Sequence, residues 1–368
     1  MSAQDDMVGR PMAELETPIL VVDLDKLERN IAKMRRIIIE EAGINWRPHT
    51  KAIKIPALAH KLLGAGAHGV TCAKLGEAEV MAGAGIQDIL IANQVVSPAK
   101  IARLVHLVRH ADIIVAADCE AHLKALDTAA LAAGTRLRVV IEVNMGINRA
   151  GVEPGEAVVA LARQVAACRG LRFAGIMGWE GQTAAMKDPG EKRKAIEAAV
   201  QRLAASAELC RAAGLPVEIV SCGGTGTYWI TAKLPGVTEV QAGGGIFCDM
   251  RYRKEYGVDH EFALTIFTTV TSRPTPTRII CDAGWKSMGV HPTLPQPLDV
   301  GEVKSVRLSA EHTTIELAEP RPVPEVGGRV EFVAGYSDST VFMHDHLYGA
   351  RSGRLEVVWP ILGRGKTQ

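Results

Sequence analysis

From about residue 45 onward, eight short apolar runs alternate with Ala- and Leu-rich stretches, and this alternation restricts the fold more than any other feature of the chain. The runs begin near Asn45, Gly69, Asp88, Asp112, Arg136, Leu171, Val217 and Glu239. Between them, segments such as PALAHKLLGAG, AKIARLVHLVRH and EAVVALARQVAACRG space their apolar residues as amphipathic helices do. Strand and helix repeating in this order imply a parallel sheet with right-handed crossovers. Eight repeats in roughly 200 residues reach the lower edge of barrel size. An open doubly wound sheet is the alternative, but no G-x-G-x-x-G turn follows the first strand. The expected fold is therefore α/β, with a (β/α)8 TIM-type barrel over residues 25–257.

After about Tyr256 the texture changes. Runs such as FALTIFTTVTS, TRIICDAG, TTIELAE and RLEVVWPI read as consecutive antiparallel strands separated by turns. The early run TPILVVDL, Thr17 to Leu24, is surplus to the eight barrel strands and is expected to pair with this region. Residues 1–24 and 258–368 together would then form an antiparallel β-domain, and Asp25 is placed to cap the helix DKLERNIAKMRRIIIEEAG.

Composition narrows the partners. A chain of 368 residues suits one large domain and a smaller one. A formal charge of +1 supplies no field for nucleic acid or an anionic membrane, and aromatic residues, at 4%, offer no stacking platform. The polar stretch Met1 to Leu15 has no apolar core of signal-peptide length, and no run approaches the roughly 18 apolar residues of a membrane span. Seven scattered cysteines with no Cys-x-x-Cys pair read as buried thiols in a cytoplasmic protein.

In a barrel the reactive groups gather where the strands end. The first strand ends in Arg47-Pro48-His49-Thr50-Lys51, and alternation puts Arg47, His49 and Lys51 on one face. If that face is the interior, three basic groups meet where unpaired charge is expensive. A bound anion, or a lysine consumed as an imine, would relieve the crowding, and a desolvated lysine among cations is a better nucleophile. Lys74 is the rival lysine, although the neighbouring Glu77 points to an ordinary ion pair. The seventh and eighth strands run into Gly223-Gly224-Thr225-Gly226-Thr227 and Gly243-Gly244-Gly245, at the address where barrels hold phosphate. After the fifth strand, Arg149 is placed to reach a planar anion. A lysine at one strand end and two glycine loops at others describe a site for a phosphorylated aldehyde.

These residues together resemble fold-type III pyridoxal-phosphate enzymes, in particular the D-threonine aldolase and D-serine dehydratase family. The stretches that carry the resemblance include RPHTKAIKIPALA, GVTCAKLGEAE, NRAGV, GGTGT, EVQAGG, CDAGWKS and VVWPILGRG. The resemblance implies an alanine-racemase-like pair of domains and a homodimer with its active site near the subunit interface. It implies that Lys51 carries pyridoxal 5'-phosphate as a Schiff base. It also implies that Gly224, Thr225, Gly226, Gly243 and Gly244 hold the phosphate, and that Arg149 contacts the pyridoxal ring. The expected substrate is a small amino acid, and the expected reaction is retro-aldol cleavage of a β-hydroxy D-amino acid to glycine and an aldehyde. A dehydratase and a racemase are the rival enzymes, and a non-catalytic cofactor carrier is the rival of another class.

One departure matters. Family members that act on β-hydroxy amino acids usually bind a divalent metal through His-x-Asp or His-x-Cys in the β-domain. Here the segment reads Gly335-Tyr336-Ser337-Asp338, so Asp338 remains but a phenol, a poorer ligand, replaces the imidazole. A Mg, Mn or Zn ion at Asp338 is one expectation; His344 and His346, on one face if FMHDHLY is a strand, read as a polar strand face in preference to displaced ligands. Proton transfer without metal is the other. Asp338 is then the first candidate for the base, followed by Tyr336, Glu180 and His49. Trp179-Glu180 stands where several aldolases carry Tyr and His, and Trp179, Trp229 and Trp285 are candidates to line the pocket.

Overall fold

The computed structural model describes residues 7–368, and the first six residues of the polar N-terminal stretch lie outside the described residues. The chain divides into two compact units, one comprising Ala32–Gly243 with Gly365–Gln368, the other the chain up to Ile31 with Gly244–Arg364.

The first unit is built on eight parallel strands: β2 (Asn45–Trp46), β3 (Val70–Cys72), β4 (Asp88–Gln94), β5 (Asp112–Ala117), β6 (Leu137–Glu142), β7 (Leu171–Met177), β8 (Ile219–Cys222) and β9 (Glu239–Val240). They pair in the order β2-β9-β8-β7-β6-β5-β4-β3. The two ends of that row also meet. His68 N–H donates to Trp46 O at 2.8 Å, Thr71 N–H to Pro48 O at 3.0 Å and Thr50 N–H to Thr71 O at 2.7 Å, so the row closes into a barrel. Leu90, Ile114, Ala116, Val140, Ala174, Met177 and Ile219, contributed by five successive strands, form one buried apolar cluster. The eight strand positions expected from the apolar runs are those observed.

Helices α2 (Pro56–Gly64), α3 (Leu75–Gly83), α4 (Pro98–Leu107), α5 (Glu120–Ala132), α6 (Glu156–Ala167), α7 (Pro189–Ala212) and the single turn α8 (Tyr228–Thr231) follow the strands. Their starts are legible in local chemistry. Pro occupies the first turn of α2, α4 and α7, where a missing N–H costs nothing. Ser97 and Asp188 accept N–H groups of Lys100 and Glu191 at the starts of α4 and α7.

The second unit is a nine-stranded sheet. β1 (Ile19–Asp23) is joined by β10 (Leu264–Thr275), β11 (Arg278–Cys281), β12 (Gln296–Pro297), β13 (Val303–Leu308), β14 (Thr313–Leu317), β15 (Arg329–Val333), β16 (His346–Arg351) and β17 (Arg354–Pro360). The early run does pair with the C-terminal strands: Ile19 faces Phe267 in antiparallel β10, and Val21 faces Tyr348 in parallel β16. A four-residue turn, α9 (Ser337–Thr340), follows β15.

One local expectation is corrected, and the compact units divide at other positions than the expected domains. Helix α1 (Leu24–Arg35) is capped by Asp23, whose Oδ1 accepts Lys26 N–H at 3.0 Å, while Asp25 pairs with Arg351. The unit boundaries fall at 31/32 and 243/244 instead of 24/25 and 257/258. The reason for the second shift is visible: Met250 and Arg251 N–H donate to Ala334 and Gly335, and Ala263 N–H to Phe247, which tie residues 247–251 to the sheet unit.

All seven cysteines are free thiols, five of them buried. Among the described residues, no helix is long and apolar enough to cross a membrane.

Candidate active site

The residues at the end of β2 separate into two tasks. Arg47 is 1% exposed, and its Nε donates to both oxygens of Glu239 at 2.9 and 3.0 Å while Nη1 pairs with Asp88. It is therefore a neutralised structural ion joining β2, β9 and β4. The expected trio of basic groups reduces to His49 and Lys51, with Lys54 nearby. Lys54 is the ion-pair partner of Glu77, whose Oε2 also accepts the N–H groups of Ala73 and Lys74. The pair assigned to Lys74 thus belongs to Lys54.

His49 is held neutral. Burial lowers its pKa well below the usual value, and the charges of Lys51, Lys54 and Arg149 push it in the same direction. Its Nδ1 accepts the backbone N–H of Lys51 at 3.3 Å, which fixes the turn that presents the lysine. The ring stands in a collar of cations as an uncharged neighbour.

Trp179, at the end of β7, is the hub. Lys51 Nζ lies 5.6 Å from its ring centroid and Arg149 Cζ 5.5 Å from the same centroid. Gly181 packs beneath the indole, where a Cβ would come within 2.7 Å of the ring, and a Cβ on Gly224 would sit 2.9 Å from Nε1. Of the three candidate tryptophans, Trp179 alone is placed with the lysine. Trp229 packs against Lys192, and Trp285 is 47% exposed in the other unit.

Glu180 anchors the neighbouring glycine loop. It is 0% exposed, and its carboxylate accepts Thr227 Oγ1 at 2.7 Å, Thr231 Oγ1 at 2.6 Å and Gly223 N–H at 3.2 Å. Every donor belongs to the glycine loop after β8 or the turn α8 that follows it. Thr225 and Gly226 are buried in the loop so pinned. Gly243, after β9, is glycine for a packing reason: a Cβ there would collide with the His49 backbone. Gly244 falls in the other unit, where a Cβ would come within 2.5 Å of Tyr252 Oη.

Residues that sequence reasoning missed tie the rest of the strand ends together. Gln94 Nε2, from β4, donates to Glu142 Oε2 at 2.5 Å, and Glu142, from β6, faces Arg149 Nη2 at 3.7 Å. Asp118, one residue beyond β5, accepts Gly151 N–H at 3.0 Å and so holds the Arg149 loop from its other side. The available signal was positional: each of the three is a polar residue at or just past the C-terminal end of a barrel strand.

In the sheet unit, Tyr336 Oη donates to Asp338 Oδ2 at 2.5 Å. Burial, then the Asp338 carboxylate, raises the Tyr336 pKa far above its ordinary value, so the phenol keeps its proton. The Arg251 guanidinium lies 4.8 Å from the Tyr336 ring centroid. Asp249 is fully buried and accepts the N–H groups of Tyr252 at 2.8 Å and Ser337 at 2.7 Å, and burial lifts its pKa to about 7. Tyr336 is a poorer ligand for a divalent ion than the expected imidazole: the phenol keeps its proton, donates it in a hydrogen bond to Asp338 Oδ2, and lies under a guanidinium. His344 is no substitute ligand on a shared strand face. It precedes β16, its Nε2 meets Ser287 O at 2.8 Å, and burial lowers its pKa, while His346 opens the strand.

The barrel unit does fit a phosphorylated aldehyde. It offers a primary amine, a neutral imidazole, a guanidinium and an indole face beside a glycine loop that side chains would crowd.

Comparison with known proteins agrees with this chemistry. Residues 22–250 match the family described as alanine racemase, N-terminal domain, and residues 263–350 match a putative serine dehydratase domain. The chain is 35% identical to 3-hydroxy-D-aspartate aldolase of Paracoccus denitrificans (strain Pd 1222), over 97% of this chain and 94% of that protein. Its fold superposes on the crystal structure of D-threonine aldolase from Filomicrobium marinum with a TM-score of 0.95 and 34% identity, covering 98% of each chain. D-threo-3-hydroxyaspartate dehydratase from Delftia sp. HT23 matches with a TM-score of 0.86 and 26% identity, over 96% of this chain and 99% of that one.

Proposed function

Because the chain belongs to the D-threonine aldolase and D-serine dehydratase family of fold-type III pyridoxal-phosphate enzymes, we propose that it is a lyase cleaving β-hydroxy D-amino acids to glycine and an aldehyde. The observation that carries the reaction class is 35% identity with an aldolase along 97% of the chain. The Lys51, Arg149 and Trp179 arrangement supports it, since a covalently held anionic aldehyde needs an amine, a cation for its oxygens and a ring face at hand.

Pyridoxal phosphate bound at Lys51 would supply an electron sink for the pair released at Cα. Everything else falls to the chain. The loop Gly224-Thr225-Gly226, held by Glu180, together with Gly243 and Gly244, binds the phosphate. Arg149, backed by Glu142, contacts the ring. His49 remains uncharged and shapes the Lys51 turn. As the Cα–Cβ bond breaks, the β-hydroxyl oxygen becomes a carbonyl and must lose its proton. On the family resemblance Asp338 is the first candidate for that proton, and the protonated Tyr336 phenol orients its carboxylate. No metal enters at Asp338, because the Tyr336 substitution leaves a donor set suited to a proton. The proposed form is a cytoplasmic homodimer, in keeping with seven free thiols and the family resemblance.

The test is direct. Protein treated with EDTA and supplied with pyridoxal phosphate is incubated with D-threonine and with 3-hydroxy-D-aspartate, and both aldehyde and ammonia are recorded. Aldehyde formation that chelation leaves intact is the expected result. Ammonia alone would assign a dehydratase instead, and absence of both products would overturn the lyase.

A further inference from the structure

A second group of reactive side chains lies at the rim of the barrel, outside the lysine site. Asp118 follows β5, Cys119 is the N-cap residue of α5, and His122 sits in the first turn of that helix. The spacing Asp-Cys-x-x-His brings a carboxylate oxygen, a thiol sulfur and an imidazole nitrogen within 4.8 Å of one another. We propose that Asp118, Cys119 and His122 form a binding site for a borderline transition-metal ion of the Zn²⁺ class, with an open fourth position for water.

Three observations bear on this. Asp118 is oriented from behind: its Oδ2 accepts Gly151 N–H at 3.0 Å and Gln94 Nε2 at 3.3 Å, which leaves Oδ1 directed at His122 Nδ1, 3.0 Å away. Outer donors that fix a ligating carboxylate in this way are a regular feature of metal sites. Two ligands about 3 Å apart is also the separation that an ion ~2.1 Å from each imposes at a near-right angle. Next, the local charge is right. Among the described residues no Lys or Arg pairs with Asp118, so the imidazole is the single basic group against this carboxylate. Finally, all three residues are half-buried, with side-chain exposures of 18% for Asp118 and 19% for His122, so an ion can enter and the water it keeps has room. Closing the sulfur onto the ion requires a contraction of about 1 Å from the widest spacing toward ordinary tetrahedral ligand separations.

The donor set selects the metal. Thiolate and imidazole favour Zn²⁺, Co²⁺ or Cu²⁺ over Mg²⁺ and Ca²⁺, which take oxygen ligands. Binding would release the thiol proton to solvent, leaving a thiolate on the ion.

Co²⁺ is the probe, because a cobalt–thiolate bond has its own ultraviolet charge-transfer band and needs no turnover to be seen. Holoprotein stripped of metal by chelation is titrated with Co²⁺, then with Zn²⁺ in competition. The expected result is one Co²⁺ per chain with the thiolate band, displaced by Zn²⁺. Cys119→Ser should remove the band, and because serine is a better helix N-cap than cysteine the variant should fold. His122→Ala should weaken Co²⁺ binding at least about tenfold. Asp338→Asn should change neither, which separates this site from the chemistry of the sheet unit. No thiolate band at saturating Co²⁺, or a band that survives Cys119→Ser, would overturn the proposal and leave His122 as a hydrogen-bonding partner of Asp118.

Discussion

Tyr336 donates its phenol proton to Asp338 across 2.5 Å, at the segment where the family resemblance leads one to expect a His-x-Asp pair. If Asp338 takes the β-hydroxyl proton, Asp338→Asn should lower kcat by about 10²- to 10⁴-fold, the usual worth of a positioned base, with little change in cofactor absorbance. Tyr336→His rebuilds the His-x-Asp pattern of the family. Steady-state assays with and without EDTA should then show a dependence on Mn²⁺ or Zn²⁺ that the parent chain lacks, and a variant as indifferent to chelation as the parent would count against the donor-set argument. Lys51→Ala should abolish the visible Schiff-base absorbance together with turnover.

At the scale of elements, the loop after β8 depends on a side chain at the end of β7. Glu180 satisfies three donors in the loop and α8 at no solvent exposure. Glu180→Ala would leave them unpaired at a cost of about 3 kcal/mol or more. Cofactor titration should show an affinity at least about tenfold weaker, whereas Glu180→Gln should recover part of both losses. A truncation that left cofactor affinity untouched would detach the loop from phosphate binding. The eight strand starts were legible because apolar runs alternate with helical spacing, a signal carried within some ten neighbouring residues. The roles of individual polar residues were not. Arg47 has the alternation of an interior-facing base, but its partner Glu239 is 192 positions away, and no local pattern announces it. Glu180 looks like a base until Thr227 and Thr231 are found against it. Asp23 and Asp25 are both plausible caps, and the choice between them is made by Arg351.

For the molecule as a whole, two buried charges govern stability. Arg47→Ala would strand Glu239, itself 1% exposed, without its cation, at a cost of roughly 3–5 kcal/mol in denaturant unfolding. Asp249 acts through pH. Its pKa is raised from 3.8 to about 7, so the folded chain binds this proton more tightly than the unfolded one does, and stability contributed by the protonated form is lost as pH rises between those values. Asp249→Asn should flatten this decline, seen as a melting temperature that varies less between pH 5 and pH 7 than in the parent. The barrel closes at β2, which contributes two ladder residues to β9 and is followed by the isolated bridge His49–Thr71 to β3. A ring is weakest at its shortest join, and Lys51 leaves the chain two residues beyond that bridge. A cofactor fastened to Lys51 on one side and to the loop beyond β8 on the other would work as a rivet across a hoop, so that a chain lacking it should exchange the amide hydrogens of Thr50 and Thr71 ahead of those in the long strands opposite.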